Sequence, residues 1–170
     1  MHMQSLVMWG ALAVTVGIPA YLWRRRRNML GGFQTLLAEK GFVARNNSPI
    51  AALSDKNPPD GFHFSSAYDG AVGGATTTLL LLKRTEAVVV QGTSMQNQTL
   101  YVGAYVHGSA AGDNFFAEWR RRLQAKRDDI VHVSQPAEGG ALLVWKGSPS
   151  RAHVQSHLMN LAGTLAQRPR

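Results

Sequence analysis

An uncharged apolar segment near the N-terminus constrains this chain more than any other feature. It covers residues 6–23, and four arginines follow it at once: Arg24, Arg25, Arg26 and Arg27. As an α-helix the segment would be roughly 27 Å long, close to the hydrocarbon thickness of a bilayer. A backbone that crosses hydrocarbon must pair its own polar groups, so residues 1–27 are predicted to form a single transmembrane helix with a basic flank.

The arginines also predict which side of the membrane holds the rest of the chain. Residues 1–5 contain no lysine or arginine. Because positive residues beside a membrane helix stay in the cytoplasm, the N-terminus is predicted outside and residues 28–170 inside. Tyr21 and Trp23, at the arginine end, suit the headgroup zone. A cleaved secretory signal would instead place basic residues before the apolar ones. The layout is typical of bacterial inner-membrane proteins, an analogy that implies no activity.

The remaining residues are enough for one compact domain. The formal net charge is +8, and half of this excess comes from the four arginines that the topology explains. The chain has no cysteine, which excludes disulfides, thiolate nucleophiles and cysteine-ligated metals. No cofactor motif is present either: the glycines of residues 70–74 lack the Lys-Ser/Thr pair of a phosphate-binding loop, so no cofactor is predicted.

Periodicity predicts an α+β domain with a mostly antiparallel sheet covered by helices, in the order α-β-β-β-β-α-β-β-α. Helices are predicted at residues 28–42, 114–126 and 150–166, with Gly31 and Gly32 as a flexible joint after the membrane helix. Strands are predicted at residues 62–68, 76–83, 87–91, 99–107, 130–134 and 141–146. Turns are predicted at Asp69-Gly70 and at residues 92–98, and a long loop at residues 45–61.

Three residues are candidates for catalysis. His63 and His107 lie on predicted strands, and Asp69 follows one. If these side chains met in a pocket, they would form an acid–base site. Histidines at the surface or at a sheet edge are the alternative, and strand order cannot be derived from the sequence.

His153 and His157 are candidates for a metal site, because residues four apart on a helix face the same way. The glutamate that follows the first histidine in zinc protease helices is replaced here by Val154. The alternative is a polar edge that continues through Asn160 and Thr164.

A second basic cluster contains Arg120, Arg121 and Arg122, with Lys126 and Arg127 beyond them. It could be a solvated helix face, a surface that contacts anionic lipid, or a nucleic-acid contact. No nucleic-acid motif surrounds it, so nucleic acid is not expected.

The sequence thus predicts a single-pass membrane protein that contacts lipid through residues 6–23. Its cytoplasmic domain is expected to bind a protein partner or to organise an assembly. Two alternatives stay open: a small membrane-tethered enzyme that uses His63 or His107 with Asp69, and a peripheral sensor of anionic lipid built on residues 120–127.

Overall fold

A computed structural model describes residues 3–55, 58, 60–90, 93–108, 112–147 and 149–166. At residues 3–18, 26, 88–90 and 93–95 only the backbone is described. The helices are α1 (Met3–Glu39), α2 (Asp113–Gln124) and α3 (Arg151–Ala166), and a 3₁₀ turn covers Ala51–Ser54. The strands are β1 (Val43–Arg45), β2 (His63–Val72), β3 (Ala75–Val90), β4 (Thr93–Val106), β5 (Ile130–Ser134) and β6 (Ala141–Trp145).

The strands form one sheet in the order β1-β2-β3-β4-β6-β5, and every neighbouring pair is antiparallel. The predicted α+β class and antiparallel sheet are therefore confirmed. The short β6–β5 connection gives the antiparallel pair that its length requires.

Each face of the sheet is covered in a different way. On the helix face, α1, α2 and α3 bury an apolar layer that includes Phe33, Trp119, Trp145 and Leu161. On the loop face, the segment before β2 closes a smaller layer that includes Ile50, Leu53, Phe62, Leu80 and Tyr105. The leucine run of β3 is buried on both faces of the sheet, because Leu79 packs on the helix face and Leu80 on the loop face.

The predicted joint at Gly31 and Gly32 is wrong, because α1 runs unbroken from Met3 to Glu39. Glycine costs about 1 kcal/mol relative to alanine in a helix interior, which packing can outweigh. Directly after the two glycines, Phe33, Leu36 and Leu37 are buried on the helix face. This packing fixes the backbone on the domain side of the glycines.

Within the residues searched for a membrane span, no helix combines the length and the apolar character needed to cross a bilayer. The side chains of residues 3–18, on which the predicted anchor depends, lie outside the described part of the structure. In the described part of α1, Tyr21 and Trp23 are each 64% exposed.

Both predicted turns are wrong. β2 continues through Asp69 and Gly70 and ends at Val72, because residues 69–71 pair with β3. Gly73 and Gly74 make the turn instead, with φ angles of +56° and +78°. Two positive φ values define the type I′ turn that suits tight hairpins. At the other end of β3, residues 75–90 form one strand rather than two, and β4 already begins at Thr93.

Candidate functional sites

A chain of three hydrogen-bonded side chains lies on the loop face, contributed by β2, β3 and the residue directly after β4. The Thr78 hydroxyl donates to Asp69 Oδ1 over 2.6 Å. His107 Nε2 lies 2.7 Å from the same hydroxyl. The cross-strand register places Asp69 opposite Thr78, so the antiparallel ladder itself positions this chain. Two of the three candidate catalytic residues, Asp69 and His107, are therefore brought together through a threonine.

His63, the third candidate, is not part of this chain. It is the first residue of β2 and pairs with Lys83, whereas Asp69 pairs with Thr78. Six residues along a strand correspond to roughly 20 Å. His63 thus lies far from the other two candidates.

The number of protons available to Asp69, Thr78 and His107 limits what these three side chains can do. A hydroxyl has one proton, and in this arrangement Thr78 donates it to Asp69. His107 Nε2 must therefore carry a proton and donate it to Thr78, which leaves Nδ1 as the acceptor of the neutral ring. Because Thr78 is fully buried, its hydroxyl is not placed to attack a substrate. The arrangement fixes the tautomer of His107 and does not activate a nucleophile.

The surroundings of His107 favour its neutral form. Burial lowers its pKa, the nearby Asp69 carboxylate raises it, and Arg45 lowers it. Arg45 Nη1 itself lies 3.3 Å from Asp69 Oδ2, so the carboxylate is shared between the guanidinium and Thr78. The ring of Tyr105 lies 4.4 Å from that of His107 and limits its orientation further.

A second histidine site, which the sequence did not predict, joins β5 to the loop before β2. His132 Nε2 lies 2.8 Å from Ser134 Oγ and 3.3 Å from Asp60 Oδ2. Burial lowers the pKa of His132, against the opposing effect of Asp60. A serine–histidine–carboxylate triad needs both ring nitrogens, one for each partner. Here one nitrogen serves both partners, so the group is not a triad.

Asp60 and Ser134 also line a cavity of about 210 Å³ between the loop and the β5–β6 turn. The spacing of His132 and Ser134 on one strand could have placed them on one face, since alternate residues share a face. Asp60 comes from an irregular loop, and no periodicity places such a residue.

The predicted pair His153 and His157 does meet on α3, with ring centroids 5.2 Å apart. Among the residues searched, no group of three His, Asp or Glu side chains lies close enough to hold a metal ion. His153 Nε2 lies 3.5 Å from Asp129 Oδ2. His157 stacks on Trp145 with centroids 4.8 Å apart and planes 12° apart.

His157 is therefore a core residue rather than part of a polar edge. Its side chain is only 6% exposed. Burial, and secondarily His153, lower its pKa to about 4, although Asp129 and Asp128 act in the opposite direction. The ring is neutral at pH 7.

The arginines of α2 have partners within the domain. Arg122 Nε lies 2.8 Å from Glu118, and its Nη1 lies 3.0 Å from Asp128. Arg121 also contacts Glu118, at 2.8 Å. The guanidinium of Arg120 lies 4.5 Å from the centre of the Phe116 ring. These contacts favour a solvated helix face over a lipid or nucleic-acid surface for this cluster.

The longest hairpin extends beyond the rest of the sheet. β2 pairs with β3 only as far as Lys83, and β6 pairs with β4 only as far as Val102. The β3–β4 ladder continues from Arg84–Thr99 to Val90–Thr93. Residues 84–90 and 93–99, hereafter the β3–β4 arm, thus form a two-stranded ribbon roughly 20 Å long. In the described part of the chain, no third strand pairs with it.

Comparison of the chain with protein-family models, with curated proteins and with solved structures finds no match.

Proposed function

We propose that this chain is a single-pass membrane protein whose cytoplasmic domain binds a protein partner by β-strand addition to the β3–β4 arm. The observation that carries the proposal is the arm itself, a ribbon that continues past both of its neighbouring strands. Strand addition uses backbone groups for affinity, and an exposed sheet edge supplies them.

The composition of the arm supports a partner. Unprotected strand edges invite association, so proteins commonly guard them with lysine, proline or other charged residues. Arg84 and Glu86 lie at the base of the arm, and beyond them residues 87–99 contain no charged residue and no proline. A lone two-stranded ribbon is also only marginally stable in water. A partner strand would satisfy the outer backbone groups of the arm and stabilise it.

The anchor part of the proposal depends on the sequence and on the exposed part of α1. The uncharged segment at residues 6–23 continues into the four arginines without a break in the helix. Tyr21, Leu22 and Trp23 are all more than half exposed. Aromatic side chains at such a position favour the membrane interface, and the guanidinium of Arg27 lies 5.4 Å from the centre of the Trp23 ring.

The test is site-specific photo-crosslinking in native membranes. A crosslinker at Thr85 or Gln98, which are exposed cross-strand partners, should capture one protein species. A double variant, A87K with Q96E, places opposite charges on another exposed pair and should keep the ribbon while blocking strand addition. Loss of the crosslink in this variant supports the proposal.

The matched control is A152E with S156K, which places the same two charges on the exposed side of α3. It should crosslink as the parent does. Hydrogen exchange gives a second readout, because backbone amides of the arm should exchange more slowly in membranes than in the purified protein. Equal exchange in both settings, together with a crosslink that survives A87K/Q96E, would contradict the proposal.

A further inference from the structure

A groove lies between α1 and the start of α3. Its volume is about 550 Å³, within the range of small-ligand sites. Its walls are polar and cationic as well as apolar, and the lining consists of Tyr21, Arg24, Arg25, Asn28, Met29, Gly32, Ser150 and Arg151. Residues more than 110 positions apart in sequence therefore share one concave surface.

The charged side chains that line this groove are all positive. Three guanidinium groups line it, from Arg24, Arg25 and Arg151, and none of the described lining residues is acidic. Tyr21, Asn28 and Ser150 add neutral hydrogen-bond donors. Guanidinium groups match phosphate oxygens in bidentate geometry, so the preferred ligand is a phosphate-bearing anion.

Arg151 is held in place from outside the groove. Its Nη1 and Nη2 donate to the Glu39 carboxylate at 3.0 Å and 2.7 Å. Both residues are about half exposed, so this ion pair adds little stability. It does hold the arginine side chain beside α1, where the guanidinium borders the groove.

The position of the groove along α1 indicates which phosphate groups can reach it. Tyr21 lies one helical turn before Arg24 and Arg25, a rise of about 5 Å. If Tyr21 and Trp23 lie at the membrane interface, the groove faces the phosphates of the inner leaflet. We propose that the groove binds the phosphate of an anionic phospholipid headgroup, an inference that rests on the proposed anchor. The domain is then oriented against the membrane by Arg151 as well as tethered to it.

The experiment measures binding of short-chain phosphatidylglycerol, short-chain phosphatidylcholine and inorganic phosphate to the full chain in neutral detergent. Phosphatidylglycerol should bind more tightly than the other two. R151Q should weaken its binding about fivefold, the effect of one basic residue near an anionic lipid. R121Q removes the same charge from the exposed surface of α2 and should leave binding within twofold of the parent.

E39Q separates binding from a structural role. It breaks the ion pair to Arg151 but keeps the guanidinium in the groove. If Arg151 binds lipid, E39Q should retain the affinity of the parent or improve it. If Arg151 serves only to join α1 to α3, then E39Q and R151Q will weaken binding equally, which overturns the proposal.

The remaining outcomes are also decisive. Equal weakening by R121Q would mean general charge attraction, and equal binding of inorganic phosphate would mean that the ligand is a free anion. Either overturns the lipid assignment, as does equal binding of the two lipids.

Carbonate extraction of cell membranes tests the anchor separately. A chain that stays in the extracted membranes but binds without selectivity refutes the groove alone, whereas a chain released by carbonate refutes the anchor.

Discussion

The two faces of the sheet differ in what closes them and in what they leave exposed. The helix face is closed by three helices whose apolar residues recur at regular spacing, and it contains two fully buried tryptophans, Trp119 and Trp145. The loop face is closed by Ile50, Leu53 and Phe62 from an irregular segment. That segment is tied down in part by the Ala51 amide, which donates to Glu138 Oε1 over 2.7 Å.

Because of this difference, the hydrogen-bonded histidines and the main helical packing lie on different faces of the sheet. The hydrogen-bonded histidines His107 and His132 both have their polar partners on the loop face or at its margin. A cover made of a few loop side chains leaves room for such groups at its edges. A continuous helical cover does not, and among the described residues the histidine buried under it, His157, lies flat against Trp145.

Truncating a large side chain on each face gives the largest expected contrast. W119A should lower the free energy of unfolding by about 3–5 kcal/mol, because α2 cannot refill the space. L53A on the loop face should cost about 2 kcal/mol, the low end for leucine truncation, because an irregular loop can collapse into the gap. Urea unfolding of the full chain in mild detergent, followed by circular dichroism, measures both. Equal losses would mean that the loop is packed as rigidly as the helices.

The pH dependence of stability tests His157, which is buried under the helices. The folded pKa of His157 is about 4 and its ordinary value is 6.5, so between these values the unfolded chain binds the extra proton. Stability contributed by the neutral ring is complete above pH 6.5 and is lost as the pH falls towards 4, by up to about 3 kcal/mol. H157F keeps the stack on Trp145 and should flatten this decline. Parallel curves for H157F and the parent protein would show that other groups cause the decline.

Substitutions at two adjacent threonines give the most closely matched comparison of the two faces. Thr78 and Thr77 are both fully buried, but Thr78 bridges Asp69 and His107, whereas Thr77 donates to the Ala75 carbonyl of its own strand. T78V should cost about 1–2 kcal/mol, because it leaves the His107 N–H without its acceptor. T77V should cost less than about 1 kcal/mol.

Nitrogen-15 shifts of the His107 ring provide an independent readout. In the parent protein they should report a proton fixed on Nε2, and in T78V a mixture of tautomers. An unchanged pattern in T78V would mean that the threonine does not set the tautomer.

The regular parts of the fold could be predicted from the sequence. Val154, Leu158, Leu161 and Leu165 recur at helical spacing and are all buried, and the alternation in β4 places Val102 and Tyr105 on opposite faces. The predicted end of β2 is wrong. Asp69 and Gly70 are ordinary turn residues, but pairing with β3 holds them in a strand. Local propensity does not include that tertiary contribution.

The candidate sites could be predicted only in part. Asp69 and His107 do converge, but Thr78 between them gave no signal, since threonine is common in strands for its shape alone. Asp60 reaches His132 from a loop, where no period relates sequence position to direction. The partners of polar groups that lie on irregular backbone can be identified only from the three-dimensional structure.

The most direct test of the account is cysteine labelling on intact cells. The chain has no native cysteine, so single variants report one position each. A membrane-impermeant maleimide should label S5C on intact cells, and it should label S156C, on the exposed side of α3, only after the membrane is permeabilised. Labelling of S156C on intact cells, or recovery of both variants unlabelled in the soluble fraction, would contradict the proposed single-pass anchor.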